Sequence, residues 1–168
     1  MSCAAIVRPL ALPSTGRKET YKDVGLRYAT GVVEKKVVRG VEPQGRAAIV
    51  LTGKFDHEPK QRVYIRALAD VLSARLREKL REDLGGTYGV SVNPNYTHIP
   101  VEEYAMHISF ACDPARTDEL VAEALKEIEL LRKEGPTDQQ VADVREKLLR
   151  DFETNAKQNN YWVTQLSL

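Results

Sequence analysis

The sequence is 168 residues long, with 42% apolar and 29% charged residues, 25 Lys and Arg against 24 Asp and Glu, and a formal net charge of +1. That mixture excludes a disordered tail, a collagen-like fibre and a coiled coil, and it leaves room for one proper core. The charge balance argues against a dedicated nucleic-acid binder, and no apolar run approaches the ~20 residues of a membrane-spanning helix.

Residues 1–30 mix Pro, Ser, Thr, Gly, Lys and Asp without a sustained period and read as an arm or linker. From Gly31 onward the chain reads as one module, 31–168. Val32, Val33, Val37 and Val38 predict a β-branched strand, closed by Gly40 and the turn Glu42–Gly45. Arg46–Thr52 predicts a second strand, paired with the first as an antiparallel hairpin across the short connection.

After Pro59 the apolar spacing becomes helical. Ile65, Leu68, Ala69, Leu72, Leu76 and Leu80 recur at steps of three and four and form one stripe. Arg75, Arg77, Lys79 and Arg81 crowd the end, where cations suit the negative helix terminus, and Gly85–Gly86 is a stop signal. Thr87–Val92 and Tyr104–Cys112 predict two further strands, with Asn93–Pro94–Asn95 and Ile99–Pro100 in a turn-rich loop between them.

Asp113–Pro114 predicts a helix start, Leu120, Ala124, Leu125, Ile128 and Leu131 its buried face, and Gly135–Pro136 its end. Thr137 and Gln140 have capping-box spacing, opening a third helix with the stripe Val141, Val144, Leu148 and Phe152. The order ββαββαα predicts an α+β, two-layer module: a largely antiparallel sheet with helices on one face. The run Asn160–Leu168 holds the only Trp and no polar tail, which reads as a chain cut within a larger protein.

The residues exclude most catalytic chemistries. Cys3 and Cys112 stand far apart and make neither a disulfide framework nor a metal cluster; Cys112 reads as a small buried hydrophobe. His57, His98 and His107 lie in no H-E-x-x-H or H-x-x-E-H pattern, so this chain is expected to bind no zinc or other metal by itself. There is no G-x-S-x-G, no P-loop and no G-x-G-x-x-G. Gly85–Gly86 follows a helix rather than opening one, so it is no phosphate cradle. Glu82–Asp83 and Glu102–Glu103 read as solvated faces.

One constellation remains. Arg81-Glu-Asp-Leu-Gly-Gly-Thr-Tyr88 sets a guanidinium at a helix end and a phenol at the next strand's start, on either side of a turn that folds the chain back. Such a pair can grip a carbonyl oxygen as charge builds on it. A dipole partner and a packing ring are the plainer readings of the same two residues.

The runs LREKLREDLGGTYGVSVNPNY and EYAMHISFACDPARTDEL, the break EGPTDQQV and the final NNYW resemble the pitrilysin/insulinase family of inverted zinc metallopeptidases. The likeness is closest to the C-terminal, non-metal-binding module of long bacterial PqqL-like members. It covers most of 25–168. It implies that the chain is the substrate-binding half of a clamshell peptidase, with peptide as substrate and an N-terminal metal-binding half of the same polypeptide as partner. It implies that the zinc and the general base lie in that other half, and that this chain alone hydrolyses nothing. It implies that Arg81 and Tyr88, seven positions apart, orient the scissile carbonyl and stabilise the oxyanion. It also suggests a bacterial envelope location. The alternative is a non-catalytic scaffold or peptide-binding module of the same fold.

Overall fold

The computed structural model describes residues 22–39 and 44–166. Among them the order is β1 (Gly45–Lys54), α1 (Pro59–Arg77), a π-helical continuation (Glu78–Asp83), β2 (Thr87–Thr97), β3 (Glu103–Cys112), a 3₁₀ turn (Pro114–Arg116), α2 (Thr117–Glu134), α3 (Asp138–Asn155) and α4 (Asn159–Leu166). The fold is α+β, as the residue pattern predicts. The strands form one antiparallel sheet in the order β1-β3-β2.

β3 lies in the centre because its alternation is the cleanest. Met106, Ile108 and Phe110 are buried, while His107 and Ala111 are exposed and Ser109 is half-buried. A period of two puts those sets on opposite faces. The buried set meets Ala47 of β1, Val90 of β2, the α1 stripe Ile65, Ala69, Leu72 and Leu76, then Leu80, and Leu120, Ala124 and Leu131 of α2. Each Val, Leu, Ile, Phe or Met among them contributes roughly 1.5–3 kcal/mol on leaving water. A partly buried ion pair, Arg75–Glu127 at 3.4 Å, joins α1 to α2, and Lys147 pairs with Asp70 to join α3 to α1.

Several expectations need correction. The stretch 31–38 carries no strand, so among the described residues one strand precedes α1, where the residue pattern predicts two. Val32 and Val38 are each 91% exposed. Adjacent valines point to opposite faces of a strand, and Glu34, Lys35 and Lys36 between the two pairs would charge both faces, so no face is left to bury. The expected turn at Asn93–Asn95 is ladder, since β2 runs on to Thr97. Pro94 is tolerated because β2 is an edge strand whose proline need not donate.

Leu68 and Leu125 belong to no buried face; Val71 takes the place expected of Leu68. Cys112 is half-buried, with Sγ 3.3 Å from Thr117 Oγ1. Cys3, Gly40, Glu42 and Pro43 lie outside the described residues.

The local stops and starts follow the sequence closely. Asp113 accepts a hydrogen bond from Ala115 N at 2.8 Å. Thr137 and Gln140 form the full capping box. α3, however, contains no buried residue. It continues into α4, where Tyr161 stands edge-on to both Phe152 and Trp162, and Trp162 Nε1 donates to Ala156 O at 2.8 Å.

The chain divides into two units, 1–33 and 34–168. In the first, residues 22–33 form neither helix nor strand. Arg27 pairs there with Asp23, and that guanidinium, with the Gly25 N–H, holds the Asp23 carboxyl down to about 2. The second unit holds every helix and strand named above.

Candidate functional site

The junction between α1 and β2 is built from a sequence of constraints that can be taken residue by residue. At Glu78 the hydrogen-bonding ladder of α1 widens into six residues of π-helix, Glu78–Asp83. Such widened turns are rare, and they recur at functional sites. Leu80 is fully buried within it, and Arg81, the next residue, is exposed.

Gly85 then takes φ +56°, the left-handed conformation that ends helices and that favours glycine. Gly85 N donates to Arg81 O at 3.1 Å and Gly86 N to Leu80 O at 2.9 Å. This is the nested pair of a Schellman cap, with each bond one residue wider than usual, as a π-helical end requires. Gly86 is needed for a different reason. A Cβ there would lie 2.5 Å from Leu120 Cδ2, so the chain passes against the buried leucine only because it has no side chain.

Arg116 adds a second tie. Its Nη1 donates to Leu84 O at 3.2 Å, which satisfies a carbonyl at the helix end. Its Nε and Nη2 hold Glu119, which raises the Arg116 pKa and holds the Glu119 carboxyl below its ordinary range.

Past the turn, Thr87 is buried and its hydroxyl donates to Ala111 O at 2.6 Å and accepts from Gly89 N at 3.2 Å. Thr87 is level with Cys112 and Val90 with Phe110, so Tyr88 and Gly89 together oppose the single residue Ala111. This is a β-bulge, a device that re-aims a side chain at a strand end. Tyr88 sits on it at 95% exposure. The plain reading of this tyrosine as a packing ring therefore does not hold.

Arg81 and Tyr88 are both exposed on the two arms of one turn. Neither makes a hydrogen bond or ion pair with a described side chain. The residue pattern alone does not disclose the π-helical turn, the bulge or the role of Thr87. A glycine one position after Tyr88, inside a strand, is the one signal for the bulge.

The histidines lie elsewhere. At the far end of the sheet the rings of His57 and His98 approach to 4.9 Å, and His98 Nδ1 pairs with Glu102 at 2.8 Å. His107 is exposed on β3. Among the described residues no group of three or more His, Cys, Asp or Glu is placed to hold a metal ion, and no helix is long and apolar enough to cross a membrane.

Residues 11–148 match the family described as the peptidase M16 inactive domain. A protein of Arabidopsis thaliana described as "Zinc protease PQQL-like" is 36% identical over 59 residues, which is 35% of this chain and 6% of that protein. The crystal structure of the periplasmic protease PqqL from Escherichia coli superposes with a TM-score of 0.65 at 19% identity, over 73% of this chain and 14% of that one. That likeness is one of fold. The chain thus spans a small fraction of the length of both relatives. It belongs to the family of the peptidase M16 inactive domain, in agreement with the pitrilysin/insulinase resemblance of its sequence.

Proposed function

We infer, taking membership of the peptidase M16 inactive-domain family as the premise, that this chain is the substrate-binding half of a zinc endopeptidase. The zinc and general base belong, in this reading, to an N-terminal half of the same polypeptide. The described residues of this chain do not fit a zinc site. Both similar proteins are named as proteases, one of them as a zinc protease. The periplasmic location of the solved one suggests an envelope location for the parent.

The contribution of this half is electrostatic. A peptide carbonyl under attack gathers negative charge on its oxygen. A guanidinium fork and a phenolic O–H aimed at that oxygen stabilise it most when they are already fixed in place. The supporting observation is the junction itself. A buried leucine, two glycines with separate steric reasons and a bulge pinned by Thr87 hold the backbone of Arg81 and Tyr88 while leaving both exposed. Rigidity beneath and exposure above is what a positioned donor pair needs.

The test is turnover in the full-length parent. Tyr88→Phe and Arg81→Ala are each expected to lower kcat about 10²–10³-fold, the usual effect of losing one oxyanion donor. Because both side chains are exposed, melting temperatures should stay at the wild-type value. Wild-type turnover in both variants would return the chain to the alternative reading, a non-catalytic module of the same fold.

A further inference from the structure

Among the described residues the helices cover one face of the sheet, and on the other Arg46, Ala48, Gly89, Ser91 and Ala111 are exposed. Near the glycine turn that second face carries a groove of about 550 Å³, crossing all three strands. Gly89, Ser91, Ser109 and Ala111 give it a floor of small side chains, and Arg46 is the one charged residue among those that line it. Arg46 is level with Ala111 across the β1–β3 ladder, and Ala111 is the residue opposite the Tyr88–Gly89 bulge. Arg46 and Tyr88 therefore occupy one row of the sheet, on strands separated by two spacings, about 10 Å.

Several other surface cations of this protein have carboxylate partners, among them Arg116 with Glu119, Arg132 with Glu129 and Lys147 with Asp70. Arg46 is exposed and has no carboxylate among the groove residues. Its guanidinium fork stands beside hydroxyl and methyl groups, free to take a carboxylate through two parallel hydrogen bonds. The next row along the face is Ala48, Ser109 and Ser91, again small. Small residues let a backbone lie close to the sheet, and the track runs on past Arg46 instead of ending there. A chain in this groove thus passes through and presents a side chain to the arginine, not a terminus.

We propose that this groove is a subsite for an acidic side chain of an extended peptide, with Arg46 as the specificity-determining residue. The assignment rests on the peptidase reading for its choice of a peptide, and binding measurements test it without turnover.

Fluorescence anisotropy on the 168-residue chain reads it, using labelled, C-terminally amidated peptides that differ only by Glu or Gln at one position. The Glu peptide should bind roughly twofold to fivefold more tightly at low salt, the upper range of an exposed charge pair, and the preference should fade as salt rises. Arg46→Ala should abolish the preference, and Arg46→Lys, which keeps the charge and loses the fork, should retain part of it. Equal binding of the two peptides overturns the proposal. So does a preference that survives Arg46→Ala, or one that follows a free C-terminal carboxylate on a neutral peptide. A Glu preference abolished by Arg46→Ala, beside wild-type turnover in the Tyr88→Phe and Arg81→Ala parents, keeps the subsite and removes the catalytic pair. Reduced turnover beside equal peptide binding does the reverse.

Discussion

The helix-to-strand junction and the C-terminal helical pair are both well-formed secondary structure, yet they are held by different forces. At the junction, Leu76, Leu80 and Leu120 are fully buried and the backbone threads between them. In α3 no residue is buried at all, and Leu149 and Phe152 remain about half exposed. The first region is fixed by packing, where the loss of a methylene is felt. The second is fixed by its cap, its i,i+4 contacts and a narrow seam along α1 through Val144 and Lys147. A donor pair that must be held in place is expected in the first kind of region, and Arg81 and Tyr88 both lie there.

Mutations can break this contrast, starting with the largest effect. Leu120→Ala should destabilise the chain by about 2–5 kcal/mol, the usual cost of a truncated core leucine. Gly86→Ala alone should also destabilise, by about 1–3 kcal/mol, because its methyl would meet Leu120 at 2.5 Å. In the double variant the added methyl enters the space that Leu120 vacates. The two losses should then fall well short of adding, and a urea-denaturation double-mutant cycle would show it. Strict additivity would mean that Gly86 and Leu120 are not the packed pair described here.

Thr87→Val is the next step down. It keeps the volume but removes the hydroxyl that bridges Ala111 O and Gly89 N. Leaving buried partners unsatisfied costs about 1–3 kcal/mol, and the bulge that carries Tyr88 should loosen. Amide exchange at Gly89 should accelerate more than exchange in the body of β3. An unchanged rate at Gly89 would show that the bulge does not depend on this threonine.

Much of this architecture is legible in the residues, and the gaps have physical causes. The α1 stripe, the glycine stop, the Asp113 and Thr137 caps and the alternation of β3 are local signals read by local structure. The π-helical turn is not legible because Leu76 and Leu80, four apart, fit the buried face of either ladder. The stretch 31–38 misleads because β-propensity is a property of a pleated surface with a partner, and its valine pairs have none. Arg81 and Tyr88 can be picked out by spacing, but their exposure on a braced turn cannot, since the bracing residues Gly86, Leu120 and Thr87 come from three elements. Arg46 is less legible still. One arginine at a strand start becomes notable only when the register sets it in a row with Ala111 and the bulge.

The smallest effects lie in α3, where the usual ranking of side chains should invert. In a packed helix an apolar truncation outweighs the loss of a cap. Here Leu149 is 54% exposed, so Leu149→Ala removes little buried area and should change stability by less than about 0.5 kcal/mol. Thr137 is a surface residue, but its hydroxyl accepts from Gln140 N while Gln140 Oε1 accepts from Thr137 N. Thr137→Ala should therefore cost about 1 kcal/mol, the typical value of an N-cap. Thermal unfolding of the two variants decides the matter. If Leu149→Ala proves the costlier, the exposed face of α3 is covered in solution, and the contrast between the two regions no longer describes this chain.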